Sequence, residues 1–230
     1  MFFKVLSLLW LVYGAPIGQI MSSYWFHQNN DQRLIRSAVL AANTDRGLVA
    51  QLQAKALSKK IIHISQCFEI DPILFTALVW RESHFRQQSK SETGAVGLTQ
   101  LTTSGIHEVL DRLSADSRRK KDQLRQQLAK CYPRTLKTIP RQIEQVDFSS
   151  WKKKIAGSPE LALIFGAVLF KSYQSGEVRI ALERYNGDPK VKVKFANDVL
   201  ALSYWIKSSF KVIPEIPGGN SKFLASIQDL

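Results

Sequence analysis

Cysteine is almost absent: the 230 residues contain only Cys67 and Cys131. These two stand too far apart for a CxxC redox or zinc motif. HExxH and the EF-hand loop are missing as well, so the sequence points to no metal and no cofactor. No cysteine follows the apolar N-terminal run, which excludes a bacterial lipoprotein anchor. Strand-like alternation of useful length is lacking between Thr44 and Ser208, which leaves a mostly α chain. Aromatics are scarce among the basic runs: residues 114–157 hold Tyr132, Phe148 and Trp151. That is thin ground for base stacking, so nucleic acid is not the expected partner.

What is present is a hydrophobic fraction of 45%, enough for a substantial core in one domain with extensions. The net charge of +13 favours a polyanionic partner: nucleic acid, an anionic membrane surface or an acidic cell wall. Lys4 followed by the apolar run Val5 to Tyr13 has the build of a secretory signal, with Gly14-Ala15 as a cleavage point and Pro16 as a poor neighbour to it. Ile17, Ile20 and Met21 prolong the apolar character, so residues 1–21 read as a signal peptide or an N-terminal anchor. The expected location is outside the cytoplasm, in the periplasm or cell envelope. In an exported chain Cys67 and Cys131 form one disulfide; in a reducing compartment they are two buried thiols.

Residues 22–43 show no reliable period and read as a linker or a first short helix. Thr44 or Asp45 then caps a helix running through Val49, Leu52, Ala56, Ile61, Ile62 and Ile64 to about Phe68. His63 on it reads as a surface or hydrogen-bonded residue. Asp71 is a good N-cap and Pro72 suits the first helical position, so a further helix starts there and ends near Ser83. On it Leu74, Leu78 and Glu82 fall at i, i+4 and i+8, with Ile73 and Ala77 widening the stripe. Glu82 therefore continues a buried face. Desolvation disfavours an ionised carboxyl and raises its pKa toward the range of a general acid. The plain alternative is a glutamate paired with Arg81 or Arg86.

A polar loop, Gln87 to Gln100, follows. Gly94 and Gly97 let its backbone turn and approach a ligand, and Ser91, Thr93 and Gln100 supply hydrogen-bonding groups near Glu82. Beyond a helix over Ser104 to Leu113, residues 114–157 are basic, with Arg118 to Lys121 and Lys152 to Lys154 as charge runs. They read as a solvated helical insertion or as a contact for anionic wall polymer or a membrane surface. Ser158-Pro159 restarts helix, and Leu161, Ala162, Phe165, Val168, Leu169 and Tyr173 give it an apolar face that closes at Gly176. A last helix spans about Lys194 to Ser208, and 211–230 is a tail.

Glu82-Ser83, Ser91 nine residues on, and Gly94-Ala95-Val96-Gly97-Leu98-Thr99-Gln100 together resemble the soluble lytic transglycosylase (SLT) domain, a relative of goose-type lysozyme. That family's pattern is a helix ending in Glu-Ser, a serine nine residues later, and Gly-Leu-Met-Gln. Further on, Ala181-Leu182-Glu183-Arg184-Tyr185-Asn186-Gly187-Asp188-Pro189 looks like its Ala-Tyr-Asn-Ala-Gly-Pro signature, with Arg184 in place of the first alanine and Gly187-Asp188 in place of Ala-Gly. The likeness covers about Ile62 to Ser208, less the basic segment.

The resemblance implies a lysozyme-like fold over 44–210, with a small two- or three-strand element near Gln87 to Leu98. It also implies action on peptidoglycan glycan strands, with cleavage of the β-1,4 bond between N-acetylmuramic acid and N-acetylglucosamine and formation of a 1,6-anhydro product. By the same likeness Glu82 is the single acid and base, and Ser91 and Gln100 contact the sugar. Tyr185 and Asn186 face the glutamate, with Tyr185 orienting or hydrogen-bonding it, and Ser83, Gly97 and Thr99 support the site. Thr99 stands where the family has methionine, which implies the loss of one apolar wall contact. Goose-type hydrolases carry water-holding aspartates in the loop after the glutamate; here the only other acid between Glu82 and Gln100 is Glu92. A goose-type muramidase and a non-catalytic wall-binding protein are the competing expectations.

Overall fold

The structure is a computed structural model that describes residues 30–43, 47–114, 123–144 and 146–209. Among the described residues the chain forms ten helices: α1 (30–41), α2 (Leu48–Cys67), α3 (Pro72–Ser83), α4 (Thr103–Leu113), α5 (Gln123–Cys131), α6 (Pro133–Thr138), α7 (Phe148–Gly157), α8 (Pro159–Tyr173), α9 (Val178–Asn186) and α10 (Lys192–Ser209). No single described helix is long and apolar enough to cross a membrane. Residues 1–21, the caps Thr44 and Asp45, Arg118 to Lys121 and the tail 211–230 lie outside the described residues.

Two helices are apolar on every face, which is the mark of a core helix. On α3, Ile73 through Val79 are all buried; on α8, Ala162 through Phe170 are. Around them α2 packs on both, α10 on α3, and α4, α7 and α9 on α8. The sequence starts both core helices in the same way. Asp71 accepts from the N–H of Ile73 and Leu74 at 2.8 and 3.1 Å ahead of Pro72, and Ser158 accepts from Leu161 ahead of Pro159. Lys207 on α10 pairs with the other oxygen of Asp71 at 2.8 Å, tying the last helix to the start of α3.

Of the two readings of 22–43, a linker or a first short helix, residues 30–41 form the helix, which buries Ile35, Ala38 and Val39 in the core. Three expectations need correction. On α2 the inward face is Ala54, Ser58, Ile61, Ile62, Ile64 and Ser65, while Val49, Leu52 and Ala56 face outward, so the helix's first half carries an exposed apolar strip. In place of a two- or three-strand element there are only isolated bridges, Lys90 with Val96 and Val96 with Leu101. The helix α8 ends at Tyr173, short of Gly176.

The described part of the basic segment is helical, as read, and is anchored on the core. It buries Leu124, Leu128, Ile139, Trp151 and Ile155, and a Cys67–Cys131 disulfide joins the ends of α2 and α5 with 6.2 Å between the Cα atoms. Beside it the Tyr132 hydroxyl and His63 Nδ1 share a hydrogen bond of 2.7 Å. Lysines of the second charge run are also used internally: Lys152 donates to the Gly94 carbonyl at 2.9 Å, and Lys154 lies over the Trp151 ring.

Candidate active site

The site begins where α3 ends. His84 and Phe85 follow the helix with φ of 51° and 59°, two successive left-handed residues without glycine, so the backbone turns sharply just beyond Glu82. The loop behind this turn is knit by its own backbone. Gly97 N–H donates to Ser89 O, Ser91 N–H to Ala95 O, and Val96 and Leu101 exchange both their hydrogen bonds. Gly94 and Gly97, both at φ 78°, occupy the left-handed turns that this path needs.

Gln100 (φ 44°) closes the loop, its amide nitrogen donating to Ser89 O at 3.1 Å and Gly97 O at 2.9 Å, so its own carbonyl oxygen remains for a ligand. The Ser91 hydroxyl accepts from Ala95 N–H and shares a hydrogen bond with Thr93.

Glu82, Ser91, Gln100, Tyr185 and Asn186 all line one groove of about 850 Å³. One wall comes from the loop, from Thr102, Ser104 and Glu108, and from Leu169 and Tyr173 of α8. The other comes from Arg81, the end of α9 and the start of α10. Ser83, Gly97 and Thr99 do not line it. Ser83 is buried and donates to Val79 O, while Gly97 packs against Ile155 and Ala162.

Thr99 makes no contact with the groove wall. Its side chain is fully buried, donates to Ala162 O at 2.8 Å and rests on Gly166, where any Cβ would fall 2.5 Å from the threonine methyl. The residue in the place of the family's methionine thus faces the core. Its carbonyl accepts from the Tyr185 hydroxyl at 2.8 Å, so Tyr185 is anchored to Thr99 and not to Glu82.

No described cation pairs with Glu82. Arg81 turns to Asp198 at 3.2 Å and lies over the Phe195 ring, and Arg86 donates to Ser83 O. The plain alternative of a Glu82 ion pair with Arg81 or Arg86 is therefore not what the chain forms. Burial raises the Glu82 carboxyl to about 8, against a smaller opposing pull from the Arg81 charge. Burial, and then the nearby Glu82 charge, hold the Tyr185 phenol well above its ordinary value.

A second groove carboxylate escaped the sequence. Glu108 on α4 accepts from Arg112 at 3.1 Å and from the Tyr173 hydroxyl. Its i, i+4 spacing to Arg112 is that of an ordinary solvated helix pair, and only the packing of α4 on α8 brings Tyr173 to it. Among the described residues no cluster of three His, Cys, Asp or Glu side chains is placed to hold a metal ion.

These features define a helical, lysozyme-like domain whose groove holds one desolvated, unpaired glutamate. Residues 59–128 match the family model of the transglycosylase SLT domain. The match holds Glu82, Ser91 and Gln100, runs past Ser114 into α5 and ends before Tyr185 and Asn186. It supports action on peptidoglycan of the transglycosylase kind. Neither curated proteins nor solved structures gave a match to the chain.

Proposed function

We propose that the protein is a peptidoglycan lytic transglycosylase in which Glu82 performs both proton transfers. The observation that carries this is the state of Glu82: unpaired, open to the groove and raised to about 8, hence protonated at neutral pH. Glu82 gives its proton to the glycosidic oxygen as the bond from muramic acid C1 breaks, and the substrate's acetamido group stabilises the cationic carbon. The Glu82 carboxylate then takes the proton of the muramyl 6-hydroxyl, whose oxygen bonds to C1 and closes the 1,6-anhydro ring. The acid returns to its starting form, and no water is consumed.

Ser91, Gln100 and Asn186 serve as hydrogen-bonding contacts for the sugar beside the cleaved bond. Tyr185 acts as a spacer whose position is held through Thr99. The segment from Lys4 to Tyr13 supports export to the periplasm or cell envelope, where the Cys67–Cys131 disulfide persists.

The second reading is a muramidase, favoured by one observation: Glu108 lines the same groove. Hydrolysis with inversion needs a carboxylate free to activate water. Glu108 has both oxygens engaged, one by Arg112 and one by Tyr173, which weakens it as a base. Mass spectrometry of digested sacculi separates the two. Anhydro products, one water lighter than hydrolytic ones, are expected from the wild type and from Glu108→Gln, and none from Glu82→Gln. Fully hydrated products would refute the lytic route.

A further inference from the structure

Three cations line one wall of the groove: Arg81 from α3, Arg184 from α9 and Lys194 from α10. Two of them are already used, since Arg81 and Lys194 both donate to Asp198, at 3.2 and 3.0 Å. Arg184 is exposed, and among the described residues no carboxylate pairs with it. None of the groove's acids pairs with it: Glu108 is held by Arg112 and Tyr173, and Asp188 Oδ1 accepts from Lys190 N–H. Arg184 directly precedes Tyr185 and Asn186 and lines the same groove. It is also the residue that stands in place of the signature's first alanine.

We infer that Arg184 receives a carboxylate of the substrate, carried on the muramic acid side of the glycan. This rests on the reading of the groove as a peptidoglycan site. N-acetylglucosamine has no charge, so an anion at this position comes from muramic acid. Its source is either the lactyl ether carboxylate, free where the peptide has been removed, or a carboxylate of the peptide stem where the peptide is kept. A planar guanidinium takes such a group through two parallel hydrogen bonds, which sets its register as well as its affinity. At the exposed rim the contact adds binding and selects which strands are held.

The test is binding, in the full chain carrying Glu82→Gln, to two preparations of sacculi: one with peptides intact and one stripped by an amidase, with co-sedimentation as the readout. Arg184→Glu is expected to weaken binding about tenfold, the equivalent of ~1.4 kcal/mol. Arg184→Ala weakens it less, and Arg184→Lys retains part of it. Loss confined to stripped sacculi assigns the lactyl carboxylate, and loss confined to intact sacculi assigns the peptide stem. Loss on both that exceeds that of Lys59→Glu, an exposed charge change on α2, supports a carboxylate contact of either origin. Unchanged affinity on both, or a loss that Lys59→Glu reproduces in full, overturns the inference. Failure of the wild type to cleave sacculi counts against the transglycosylase reading alone, because this readout needs no cleavage.

Discussion

Replacing Glu82 by glutamine is expected to stabilise the fold while removing activity. The carboxyl is raised from 4.5 to about 8. Between those values the folded chain keeps a proton that the unfolded chain has released, so stability contributed by the protonated group is complete below about pH 4.5 and is lost as pH rises to about 8. At pH 7 the interval above 4.5 corresponds to about 3 kcal/mol as an upper bound, at 1.36 kcal/mol per pH unit. Glu82 opens onto a wet groove, which screens part of this and leaves ~1–3 kcal/mol. Glutamine keeps the shape and the donor of the protonated acid without the titration, so Glu82→Gln should melt about 3–10 °C above the wild type at pH 7. The gap should close at pH 4 and reach its full size above pH 8. Circular dichroism melts of both proteins at pH 4, 5.5, 7 and 8.5, at one ionic strength, measure it. Equal melting temperatures at pH 7 and 8.5, or a wild type that melts higher there, would refute the claim that this carboxyl is desolvated.

Activity of the wild type should fall as pH rises through about 8, because the acid form is lost. Arg81→Gln should move that limb upward, since it removes the charge that holds the carboxyl down; an unmoved limb contradicts the assignment of Glu82 as the acid. Reducing the Cys67–Cys131 bond, or replacing both residues by serine, should cost about 4 kcal/mol, as expected for a crosslink spanning 64 residues. Matching melts with and without dithiothreitol would count against a structural disulfide. Gly166→Ala should cost ~1–3 kcal/mol by overpacking against Thr99, with activity lowered in step because Thr99 anchors Tyr185; denaturant titration reads it. Tyr185→Phe should leave the Thr99 carbonyl without its donor and cost ~1 kcal/mol with reduced turnover, and unchanged turnover would remove Tyr185 from the positioning role.

Much of the architecture was legible because local chemistry and packing agree. Asp71-Pro72 and Ser158-Pro159 are start signals that the structure uses as caps, and each precedes a helix apolar all round. Glu82 could be placed from spacing alone, since positions four apart share a face and the two below it are leucines. What stayed hidden depends on contacts between distant segments. At 30–41 the alternatives of linker and short helix stayed open, and only contact with the rest of the chain, through Ile35, Ala38 and Val39, decides for the helix. Charge misled over the basic segment, because lysines at 152 and 154 reach a carbonyl and an indole face that only the fold brings near. Glu108 shows the same limit, as its partner Tyr173 lies 65 residues away.

The groove is positioned by a short chain of contacts that starts in the core. Gly166 in the middle of α8 has no side chain, and this lets Thr99 sit directly on the helix backbone. Seated there, Thr99 donates to Ala162 O, which fixes the loop's depth, and presents its own carbonyl to Tyr185. The next residue, Gln100, is thereby held at the groove edge in a left-handed conformation that its amide secures through Ser89 O and Gly97 O. Threonine at position 99 therefore ties the loop to the core through Gly166 and Ala162, and the loop's fit onto α8 is the feature on which the placing of Gln100 and Tyr185 depends.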